Sequence, residues 1–182
     1  MRTQFALFAA LFLVLACSER RETAAKADIM AKAPARGMTI TSPAFTENQS
    51  IPARYGCGGS NVSPPLAFSG VPQSAKTLAL IVEDPDAPGG LFTHWVVWNI
   101  PVRTASVAEG QPPAGGVEGE NSYGRGGYGT LCPPSGEHRY IFSLYALDAS
   151  LSLPPSTGRD ELESAMKGHI VAQAQLMGRY RR

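Results

Sequence analysis

Two short segments concentrate the residue types that bind ligands or move protons. The first runs Asp84-Pro85-Asp86-Ala87-Pro88 and continues to Thr93-His94-Trp95. The proline after Asp84 drives that residue out of helical geometry, so a stiff, extended backbone aims its carboxylate at a fixed point. The second segment runs Cys132-Pro133-Pro134-Ser135-Gly136-Glu137-His138-Arg139-Tyr140. His138 and Tyr140 stand two residues apart, so on a strand both point to one side and Arg139 to the other. Two of the chain's three histidines therefore sit in these segments; the third, His169, lies beside an apolar pattern.

Imidazole N–H, phenol O–H and the backbone N–H groups of a glycine-rich loop are donors. Donors converging on a small space suit phosphate, sulfate or carboxylate. Asp84 fits such a group by accepting from an imidazole, which fixes its tautomer and favours its charged form. Two catalytic readings compete. Asp84, His94 and His138 could form a two-histidine, one-carboxylate metal triad, and Cys132 with His138 could pair a thiol with a base. Tyr140 and the glycine loop add donors that a cation does not want, and two prolines follow Cys132. The expectation is a non-catalytic site with no cofactor.

These residues need strands to hold them. Thr77 to Val82 (TLALIV), Trp95 to Ile100 (WVVWNI) and Tyr140 to Leu147 (YIFSLYAL) are short, aromatic or β-branched, and bounded by breakers. Nineteen glycines and fifteen prolines also favour a turn-rich, β-dominated fold. Gly110 to Gly129 reads as a long functional loop. One helix is expected from Arg159 to Tyr180, capped by Thr157, with Leu162, Met166, Ile170, Gln173, Leu176 and Tyr180 at helical spacing. The formal net charge is +1, and there is no basic stripe, which excludes bulk electrostatic binding of nucleic acid.

The first residues read differently. Arg2 precedes an apolar run from Phe5 to Ala16, too short to span a bilayer comfortably. Its end, Val14-Leu15-Ala16-Cys17, resembles a bacterial lipobox, so residues 1–17 are expected to be a signal with Cys17 lipidated. Ser18 after the cysteine points to the outer membrane, with the domain facing the periplasm. Residues 18–37 read as a flexible tether and 38–182 as one domain. Cys57 and Cys132 are then either a disulfide or two buried thiols; separate thiols are the working expectation.

Together the segments carry a resemblance. From about Ile40 to Tyr180 the chain resembles the phosphatidylethanolamine-binding protein family, in its bacterial Raf-kinase-inhibitor-like branch. The matching text includes Ser63-Pro64-Pro65-Leu66, LALIVEDPDAP (78–88), HWVVWNIP (94–101), Cys132-Pro133-Pro134, His138-Arg139-Tyr140 and AMKGHIVAQAQLMG (165–178). The resemblance implies a two-sheet antiparallel β-sandwich with a few peripheral helices, including a C-terminal one. It implies a small surface pocket for phosphate-like anions or a phospholipid headgroup. Asp84, His94, His138 and Tyr140 would line it, with Pro133 and the backbone around Cys132 as its wall. Inhibition of a protease or kinase is the alternative that some relatives suggest, and the bacterial branch suggests a homodimer. The chain departs from its relatives at Thr130-Leu131, where they carry Gly-Pro, and at Gly58, where they carry Asp.

Overall fold

A computed structural model describes residues 37–182; the expected signal, Cys17 and the tether up to Arg36 lie outside the described residues. The fold is mainly β, in two antiparallel sheets. Strands β1 (Thr39–Thr41), β2 (Leu66–Ser69) and β5 (Ser106–Val107) form the smaller sheet in the order β1-β2-β5. Strands β3 (Thr77–Asp84), β4 (Phe92–Pro101), β6 (Val117–Glu118), β7 (Glu137–Leu147) and β8 (Ile170–Arg181) form the larger one, in the order β6-β4-β3-β7-β8. One α-helix, α1 (Arg159–Met166), and a single 3-10 turn at Ala53–Tyr55 complete the described elements.

Central placement explains why β3 reads as an unbroken apolar run. Leu78, Leu80 and Val82 face the smaller sheet and pack with Ile40, Leu66, Phe68 and Val107. Ala79 and Ile81 face the other way, where α1 covers them with Leu162 and Met166. Each face of the strand is therefore apolar, the pattern of a strand covered on both sides. The expected strands are present, and β4 and β7 begin earlier, so that His94 and His138 are strand residues.

The expected helix from Arg159 to Tyr180 is corrected. It ends at Met166, and Gly168 turns the chain at φ 86°, a left-handed conformation that glycine adopts without strain. From Ile170 the chain is a strand paired with β7 along its whole length. Ala172, Ala174, Leu176 and Tyr180 alternate inward against the core, so the true period is two. The cap is also corrected: Gly158, not Thr157, is the N-cap residue, and it supplies no side-chain bond. The sandwich is thus closed at its C-terminal end by an edge strand rather than a helix.

The expectation of separate thiols is overturned as well, since Cys57 and Cys132 form a disulfide. A bridge between Gly56 and Leu131 and the bond from Cys57 N–H to the Leu131 carbonyl (3.1 Å) align the two segments. This brings the Cα atoms to 5.3 Å, within disulfide reach.

Candidate functional site

The end of β3 supplies the acid. Asp84 is the last residue of β3, and its Oδ1 accepts from the N–H of Asp86 (2.8 Å), a tight local turn. Its Oδ2 accepts from His138 Nδ1 at 2.7 Å. Asp86 turns outward and holds the next residue of β7: its carboxylate accepts from Arg139 Nε (2.9 Å), Nη2 (2.7 Å) and backbone N–H (2.9 Å). The two acids of the Asp-Pro-Asp turn thus grip consecutive residues of β7, one on each side of the strand. His138 and Tyr140 share the inner side, as their spacing predicts, and both are buried.

His94 comes from an irregularity in β4. Val82 pairs with Trp95 and Glu83 with Thr93, which leaves His94 without a partner in β3. This extra residue is a β-bulge, a device that re-aims a side chain. The imidazole lands 5.4 Å from the Tyr140 ring, centroid to centroid, at 69°. Its Nδ1 faces the Gly129 carbonyl at 3.2 Å, and a carbonyl can only accept, so Nδ1 carries the proton. Gly129 is required for this approach: a Cβ there would stand 2.7 Å from the Tyr123 ring and 3.1 Å from the His94 carbonyl.

The electrostatics follow from burial. Burial pushes the His94 pKa below the ordinary histidine value, against the opposing pull of the Gly129 carbonyl and the Asp84 charge. Neutral His94, protonated at Nδ1, presents Nε2 as an acceptor. Burial, and then the Asp84 charge, hold the Tyr140 phenol far above its usual range, so it stays an O–H donor. His94 Nε2 and Tyr140 Oη are both shut from solvent and make no hydrogen bond of ordinary geometry among the described residues, although the Asp84 carboxylate lies near enough to the Tyr140 phenol to help hold its proton. Unpartnered buried polar atoms are uncommon and costly.

The structure therefore brings Asp84, His94, His138 and Tyr140 into one buried cluster. Pro133 is buried and Cys132 half-buried, on the chain between Gly129 and His138. As a disulfide, Cys132 has no thiolate to offer. Among the described residues, no group of three His, Cys, Asp or Glu is placed to hold a metal. Glu83 and His169 stand outside the cluster, paired with Arg159 and Asp148. Sequence reasoning missed two contributors. Tyr123 packs edge-on to Phe92 (4.9 Å) and against the His94 ring (6.1 Å), and donates to the Thr130 carbonyl. Tyr180 lies 6.4 Å from Tyr140, and its hydroxyl accepts from Gly58 N–H. Only the proximity of Tyr123 to the glycine loop hinted at the first; the second was hidden by the helix expected there.

The family described as "Phosphatidylethanolamine-binding protein" matches residues 41–181. A UPF0098 protein of Methanothermobacter thermautotrophicus is 48% identical over 150 residues, spanning 80% of this chain and 99% of that protein. The crystal structure of CT736 from Chlamydia trachomatis, described as a homologue of phosphatidylethanolamine-binding protein, superposes with a TM-score of 0.78. It shares 46% identity and covers 80% of this chain and 98% of its own. YbcL of E. coli, described as a member of the mammalian family, gives 0.75 at 29% identity, covering 81% and 99%.

Proposed function

The chain belongs to the phosphatidylethanolamine-binding protein family, and on that premise we propose that its domain binds a small oxyanion, without catalysis, at Asp84, His94, His138 and Tyr140. The observation that carries this reading is the pair of buried, unpartnered atoms, Tyr140 Oη and His94 Nε2. The phenol donates to an anionic oxygen. His94 accepts from a protonated oxygen or, once protonated itself, donates. Asp84 orients His138 by accepting a hydrogen bond from its Nδ1–H. Phosphate, sulfate and a phospholipid headgroup share the chemistry this asks for.

Both atoms are closed from solvent in the free protein, so binding requires local opening of the cluster. The Cys57–Cys132 disulfide supports a binding role over thiol catalysis. The lipobox supports an envelope setting, with Cys17 acylated and the domain held at the outer membrane facing the periplasm, where phospholipid headgroups are abundant. Replacing Cys17 with serine should move the protein from the membrane to the soluble fraction.

The binding test is a titration of the full chain with phosphate and with sulfate, followed through the ring resonances of His94 and His138. Saturable shifts of both are expected, and no response up to about 50 mM would sink the reading.

A further inference from the structure

A cleft beside Gly127 and Tyr128 has a volume of about 280 Å³. Its lining includes Trp95, Tyr128, Glu118, Asn61 and Gln111. The Trp95 indole N–H donates to Glu118 Oε1 at 2.8 Å. Trp95 and Tyr128 stand at 82° with centroids 5.6 Å apart, and the Tyr128 hydroxyl is spent on the Tyr55 carbonyl. The cleft thus offers one half-buried aromatic ring, Tyr128, and one carboxylate, with the Trp95 indole buried behind them.

Glu118 is the anomaly. It is half-buried, and among the described residues it has no cationic partner. The other buried or half-buried acids are all paired: Glu83 and Glu163 with Arg159, Asp84 with His138, Asp86 with Arg139, Glu109 with Arg54, Asp148 with His169. The indole N–H takes up one of the lone pairs of Glu118, and the others stay open to a cation at the cleft. We propose that Glu118 and the Tyr128 ring form a site for a small alkylammonium ion, distinct from the anion cluster, with the buried Trp95 indole holding the carboxylate in place. The choice of cation follows from the walls. A metal ion wants several oxygen or imidazole ligands, and this cleft has a single carboxylate. An alkylammonium is large and weakly hydrated, and aromatic faces attract such a cation through their quadrupoles. The remaining lining side chains are uncharged: the Asn61 and Gln111 amides, the Ser63 hydroxyl and apolar groups, none of which repels its charge.

The indole N–H of Trp95 reports on Glu118 directly, while Trp98, buried on the opposite face of the sheet, is an internal control. The experiment titrates the full chain with ethylammonium and tetramethylammonium chloride and follows both indole N–H resonances. Sodium chloride at equal ionic strength is the reference. The Trp95 signal should move saturably within about 100 mM while Trp98 stays still. Glu118→Gln keeps an oxygen for the indole but removes the charge, and should weaken the response at least about tenfold. The site is refuted if sodium chloride moves Trp95 equally, if no saturation occurs in that range, or if Glu118→Gln binds as tightly. The comparison with sodium chloride on the unaltered chain decides the matter even if the variant fails to fold.

Discussion

Asp84 and His138 stand 54 residues apart in the chain and 2.7 Å apart in the fold. Their bond ties the end of β3 to the start of β7, and both side chains are over nine-tenths buried. Removing one partner strands the other. Asp84→Ala should therefore lower stability by about 3 kcal/mol, the usual cost of breaking a buried pair. Asp84→Asn, which keeps an oxygen for the Asp86 N–H, should cost less. Urea midpoints at pH 7 measure both.

Tyr140→Phe separates binding from folding. The hydroxyl is buried without a partner, so deleting it should leave stability unchanged or raise it by up to about 1 kcal/mol. If the phenol donates to the anion, sulfate affinity should fall about tenfold in the same variant. A large loss of stability would mean that the hydroxyl is already satisfied in the free protein.

Sulfate affinity should rise as pH falls. His94 is held neutral below the ordinary value of 6.5 by its burial, and a bound anion favours its protonated form. Binding therefore takes up a proton, and the affinity gains up to about tenfold per pH unit between the raised His94 pKa of the complex and the lowered one of the free protein. Sulfate does not titrate in this range, so the slope belongs to the protein. His94→Gln should flatten the profile measured by calorimetry.

The outward pair, Asp86 with Arg139, sets an acid limit. Hydrogen bonds from Arg139 hold the Asp86 pKa down to about 2 from 3.8. Its folded value lies below the unfolded one, so its contribution is complete above 3.8 and is lost as pH falls towards 2. Both side chains are part exposed, so salt should weaken the effect. The stability gap between the protein and Asp86→Asn should be present at pH 7 and close in strong acid.

The disulfide spans 75 residues, and loop-closure entropy assigns it about 4 kcal/mol. Reduction, or Cys57→Ser, should shift the urea midpoint accordingly. It should also loosen the Leu131 segment that Cys57 N–H grips, read as faster amide exchange from Gly129 to Leu131.

The inner face at the start of β7 was legible because period-two spacing is local: His138 and Tyr140 needed no knowledge of their neighbours. His94 was legible as a residue but not as a bulge, because a bulge exists only in the register of two strands. The error at β8 has a physical source. Ala, Gln, Leu, Met and Arg are good helix formers, and the apolar residues from Leu162 to Ile170 do recur at helical spacing. Pairing with all of β7 outweighs that preference, and Gly168 marks the change. The disulfide was illegible because its partners are brought together by the long-range Gly56–Leu131 pairing, which no local pattern announces.

That same covalent link encloses Asp84 and His94 within its loop and leaves His138 and Tyr140 beyond it. A single protease nick in the glycine-rich stretch from Gly110 to Gly129 would cut every backbone path between the two halves of the cluster and still not release them. The nicked protein would run as one species without reductant and as two with it. The Asp84–His138 cluster would survive as a two-chain assembly.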